Sequence, residues 1–84
     1  MAKFHTEDHF VLGSLAAITP DDNNDLPSGA AYIYVGVGGD LNLVAAGDSS
    51  PIVLKNVPTG SLLPIKTSRV KSTNTTATNL VACR

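Results

Sequence analysis

The sequence is poor in the residues that small proteins use to staple themselves or to reach polar partners. It has no Trp and one Cys, and among its 84 residues only 5% are aromatic and 15% charged. A lone thiol, Cys83, closes no internal disulfide, and no Cys/His set has the spacing of a structural metal site. Six Lys and Arg stand against seven Asp and Glu, a net charge of −1. Such a chain has no electrostatic pull toward nucleic acid or an anionic membrane. No apolar run approaches the ~20 residues that span a bilayer. The opening residues, Met1 to His9, carry acids and histidines where a secretory signal is apolar. The expectation is a soluble protein made in the cytoplasm and not exported.

Scarcity of charge is informative in itself. Soluble domains average about 25% charged residues, and interface cores are depleted of them. A single domain of this length buries about 60–65% of its unfolded surface. With disulfide and metal missing, oligomerisation is the remaining route to extra stability.

What is present is small, aliphatic and uncharged: nine Ala, nine Leu and eight Val, with eight Thr, seven Ser and six Asn. Residues 1–14 have no clean period and read as an extended arm. Phe10, Val11, Leu12, Leu15, Ala16 and Ile18 also fit a short helix, at the cost of an internal Gly13. Thr19 to Gly29 is dense in Asp, Asn, Pro and Gly, which predicts a locally structured loop.

From Ala30 onward the pattern is β. In the run Ala30–Val35, continued to Val37, Ala31, Ile33, Val35 and Val37 fall on one face and Tyr32 and Tyr34 on the other. Gly36, Gly38 and Gly39 predict a hairpin turn. Leu41, Leu43 and Ala45 alternate on the return strand, a turn follows at Gly47–Pro51, and Ile52–Val57 forms a third strand. Leu63, Ile65 and Thr67 share a face from which Val70 slips, so a bulge is expected near Ser68–Arg69. Pro64 cannot donate to a ladder and belongs at an edge or bulge. Asn79–Cys83 is the last strand. Strand signals about every ten residues predict an all-β fold, a small antiparallel sandwich or barrel-like domain over residues 15–84, with the 1–14 arm ahead of it.

No constellation of catalytic groups emerges. Gly36–Asp40 lacks the Lys-Ser/Thr end of a P-loop and precedes a strand. Asp21, Asn23 and Asp25 have calcium-loop spacing, but Leu26 and Tyr32 stand where that loop needs Gly and Glu. An Asx-turn loop accounts for them. His5 and His9 lack a third metal ligand, and no base is placed beside a Ser or Thr nucleophile. Cys83, on an apolar strand, reads as a packed, inert thiol. Catalysis, cofactor and metal are therefore not expected. Tyr32 and Tyr34 have the spacing of a stacking platform for a sugar or a single strand, but without a basic groove they read as interior or interface packing.

Short pieces in order along the chain resemble the spike base protein family of tailed phages and gene transfer agents. Ala17-Ile18-Thr19-Pro20-Asp21-Asp22 with Asp25-Leu26-Pro27 is similar to its opening loop. Ala31-Tyr32-Ile33-Tyr34-Val35-Gly36 and Gly39-Asp40-Leu41 are similar to its first hairpin. Lys55 to Ile65 resembles its middle turn and strand. Arg69-Val70, Thr75-Thr76-Ala77-Thr78 and Leu80-Val81-Ala82 resemble its end. The family tends to have Gly where this chain has Asn74, which also tolerates left-handed backbone. The 1–14 arm has no counterpart.

The resemblance implies a non-enzymatic virion protein on the capsid exterior, most simply a vertex ring that seats a head spike or fibre. The expected partners are further copies of the chain as a pentamer, the major capsid protein, and a spike or fibre protein. Phe4, Phe10, Val11 and Leu12 form an apolar cluster expected to dock on the shell or on a neighbouring copy. Fourteen extended residues reach about 45 Å. Tyr32 and Tyr34 are candidates for the interface between copies. The alternatives are a cement protein at threefold positions and a small glycan- or strand-binding module.

Overall fold

The computed structural model describes residues 13–84, and they form an all-β sandwich of two antiparallel sheets. Seven strands follow in order: β1 Leu15–Ala17, β2 Tyr32–Val37, β3 Gly39–Ala45, β4 Ile52–Val57, β5 Leu62–Leu63, β6 Thr67–Val70 and β7 Thr78–Cys83. One sheet has the order β1-β7-β2-β5 and the other β4-β3-β6. Ile33, Val35, Leu80 and Ala82 from the first sheet meet Leu41, Leu43 and Val70 from the second in one core. Ile33, Val35 and Leu41 are fully buried. The alternation read from β2 therefore holds at Ile33 and Val35, while Val37 extends past the core and is exposed.

Two expectations are overturned. Leu63, Ile65 and Thr67 do not lie on one continuous strand, because β5 pairs with β2 in one sheet and β6 with β3 in the other. Gly36, Gly38 and Gly39 do not make a hairpin, because β2 pairs with β5 and β7 whereas β3 pairs with β4 and β6. The glycines carry the chain from one sheet to the other. At this corner the backbone presses on its neighbours: a Cβ on Gly38 would run into the Val57 carbonyl oxygen, and one on Gly39 would lie 2.6 Å from Thr76 Oγ1. Gly39 also has φ of 155°, a region that L side chains rarely occupy. Alternation and glycine content look the same for a hairpin and for a sheet-to-sheet corner. The difference lies in the partners each strand finds.

The local turn chemistry is as the residues predict. Gly47–Pro51 closes the β3–β4 hairpin, with Leu43 opposite Ile52. Ser68 is the extra residue in β6, since Val44 pairs with Arg69 and Ala45 with Thr67. Pro64 follows the short edge strand β5, and the Ile65 amide donates to the Leu63 carbonyl at 2.9 Å across it, an inverse γ-type turn. Asn74 has φ of 63°, the left-handed backbone that its side chain tolerates. The stretch Leu15–Ala17 is a strand and not a helix turn, because β7 offers it a full ladder: Leu15, Ala16 and Ala17 lie opposite Cys83, Ala82 and Val81.

The cavity cost of truncating a fully buried leucine dominates any surface ion pair here. Leu41→Ala should destabilise the domain by about 2–5 kcal/mol in urea unfolding. Lys55→Ala, which removes an ion pair to Asp40 from a largely exposed side chain, should stay within about 0.5 kcal/mol. Similar losses for the two would refute this placement of the core.

Candidate interaction surface

The Asp-rich loop has a structural task. The Asn23 amide donates to Asp21 Oδ1 at 2.8 Å, closing an Asx turn. Asp22 accepts from the Thr73 amide at 3.0 Å and from its hydroxyl at 2.6 Å. Asp25 pairs with Arg69 Nε at 2.8 Å. Three carboxylates thus turn to three separate partners, and among the described residues no group of three or more His, Cys, Asp or Glu converges. The same loop satisfies the outer edge of β6. The Asp21, Leu26 and Ala30 amides donate to the Val70, Ser68 and Thr67 carbonyls at 2.8, 2.8 and 3.0 Å. An edge strand so covered is closed to further pairing.

A second polar network joins β3 to the segment leading into β7. The Asp40 carbonyl accepts from the Thr76 and Ala77 amides, at 2.9 and 3.1 Å. Its carboxylate accepts from the Asn56 amide at 3.1 Å, where β4 carries an extra residue opposite Asp40 and Asn56 has φ of 57°. Buried Asn42 is held by Thr75 Oγ1, which accepts from its amide at 3.0 Å, and by the Thr73 carbonyl, which accepts from Nδ2 at 2.9 Å.

The described clefts are shallow. One of 280 Å³ beside β7 is lined by Ser72, Thr75, Thr78, Asn79 and apolar residues, with no acid or base. One of 260 Å³ has Lys66 and Arg84, and one of 330 Å³ has Asp21 and Asp25, both already hydrogen-bonded. Cys83 is buried.

The outer face of the four-stranded sheet is different in kind. None of its strands contains a charged residue, whereas the other sheet carries Asp40, Lys55 and Arg69. The register aligns two outward rows. Leu15 and half-buried Tyr32 flank buried Cys83 in one, and Ala17, Val81, Tyr34 and Leu62 form the other. Leu15 is 68% exposed, Leu62 50% and Tyr34 41%. Soluble monomers rarely leave so contiguous an apolar surface open. The two tyrosines singled out from the sequence therefore lie together on this face, with Tyr32 half-buried and Tyr34 exposed. Phe4, Phe10, Val11 and Leu12 lie outside the described residues, as do His5 and His9. Leu15, Leu62 and Val81 were missed as surface residues. Only the alternation of Leu62 with Leu63 signalled one of them, and nothing local tells an outward apolar side chain from an inward one.

No protein-family model matches this sequence, and neither does any curated protein. The fold is similar to a chain in a solved structure described as "Capsid of native GTA particle computed with C5 symmetry". The similarity has a TM-score of 0.79 at 30% identity and covers 88% of this chain and 84% of that one.

The hydrogen-bonded acids set the response to pH. Thr73 holds the Asp22 carboxyl below its ordinary value of 3.8, Asn24 and the Asn23 amide do so for Asp21, and the Asn56 amide and Lys55 for Asp40. The unfolded chain therefore takes up protons before the folded one as pH falls. Stability should be level from about pH 7 to pH 5, decline as pH drops through about 4, and be lost further below the ordinary carboxylate value. Asp40→Asn should make that acid limb shallower in urea titrations at stepped pH. An unchanged slope would remove Asp40 from this account.

Proposed function

This chain belongs to the same family as a protein in the capsid of a native GTA particle, and we propose that it is a structural, non-enzymatic component of a phage-like head. The family relationship carries the reading. The uncharged sheet face supports it, because it is the kind of surface a subunit presents to a partner that stays bound.

The finer reading is a ring of five copies on the capsid exterior, at a vertex, seating a spike or fibre. The fivefold symmetry with which the relative's particle was computed favours it, since a pentameric ring shares that axis. The order of sequence pieces that resembles the spike base family points the same way. In this reading the protein is made in the host cytoplasm and ends on the particle. Tyr32 and Tyr34 lie between copies, and Phe4, Phe10, Val11 and Leu12 dock on the major capsid protein or on a neighbour.

Native mass spectrometry of the purified chain over a salt series should give a pentamer that survives high salt, as an apolar interface requires. A trimer would favour a cement protein at threefold positions. Sedimentation with empty shells should be lost on deleting residues 2–12, which leaves the Gly13 and Ser14 amides bonded to the Arg84 carbonyl, both at 2.9 Å. Unchanged co-sedimentation would sink the docking role of that segment.

A further inference from the structure

We propose that the outer face of the four-stranded sheet is the seat for residues 1–12 of an adjacent copy, so that each subunit is both donor and acceptor. The inference rests on the ring reading above and specifies the contact that would close it.

Three observations carry it. The strands of this face contain no charged residue, and Leu15, Tyr34 and Leu62 are left substantially exposed. The core beneath is already closed by residues 18–82, with Ile33, Val35 and Leu41 at 0% exposure, so residues 1–12 are not needed to complete it. The chain also enters β1 in line with the strand. Ser14 and Arg84 exchange backbone hydrogen bonds at 2.9 Å each way, and the Gly13 amide donates to the same Arg84 oxygen. Run backward, the backbone at Gly13 leaves the end of the sheet on the Leu15 side, away from the row that holds Tyr34 and Leu62.

Reach then separates the Phe10-Val11-Leu12 end of the copy's own segment from a neighbour's. From Gly13, the Leu62 position lies about four residues along and three strands across, on the order of 19 Å, and Tyr34 on the order of 16 Å. Val11 is tethered two residues from Gly13, within about 7 Å. The apolar end of the segment, Phe10-Val11-Leu12, therefore cannot reach the Leu62 edge of its own face. The same face on the next copy has no such limit. Donor and acceptor surfaces are different patches, so the contact is head-to-tail, and a head-to-tail contact makes a ring when the rotation between copies closes.

The test is disulfide trapping in the full-length chain with Cys83→Ser. Val11→Cys is combined in turn with Leu62→Cys and with Tyr34→Cys. A disulfide needs Cα atoms within about 7 Å, so at these separations it forms only between copies. Mild oxidation should give a ladder of covalent multimers rising to the ring number on non-reducing gels, and each single-cysteine control should stop at dimer. Native mass spectrometry of the reduced samples reports the ring independently. A ring that yields no ladder in either pair overturns this inference and leaves the ring reading standing. A monomer that yields no ladder overturns both.

Discussion

The sandwich depends on how β3 holds the segment that delivers β7 to the opposite sheet. The Lys71 amide donates to the Asn42 carbonyl, the Thr76 and Ala77 amides to the Asp40 carbonyl, and the threonine hydroxyls at 75 and 76 accept from the Asn42 and Asp40 amides. Each bond adds only about 1 kcal/mol, but an unmet donor buried here would cost more than that. Once the crossing is pinned, β7 lies between β1 and β2 and its inner residues Leu80 and Ala82 complete the core. Without that crossing the first sheet would lose its central strand.

Charged strand residues are confined to one side of the molecule. The charged strands and the Asp-rich loop belong to the three-stranded side, where carboxylates cap turns and the loop's backbone amides close the β6 edge. The four-stranded side spends no charge on its strands and presents aliphatic and tyrosine side chains outward. A subunit built this way has one solvated side and one side suited to lasting contact. That is the division expected of a component of an assembled shell, and it agrees with the family to which the chain belongs.

Much of the fold was legible locally. Ile33 and Val35 point inward because β2 alternates. The Ser68 bulge follows from Val70 falling out of step, and Asn74 adopts the left-handed backbone that its side chain tolerates. Each is a property of a few adjacent residues. The candidate surface was legible only in part. Tyr32 and Tyr34 announce a shared face by spacing, but Leu15, Leu62 and Val81 join it from three other strands.

By itself, the sequence determined the class of fold, the positions of β2, β3, β4 and β7, the turn at Gly47–Pro51, and the scarcity of charge that calls for a partner. These follow from alternation, turn stereochemistry and composition, all of which act over short distances. Only the tertiary structure decided that Gly36–Gly39 turns a sheet corner, that Leu15–Ala17 becomes a strand, and that the backbone amides of the Asp-rich loop seal an edge. Strand partners are chosen among many locally equivalent pairings. What selects among them is which arrangement buries Ile33, Val35 and Leu41 together while leaving their backbone groups bonded.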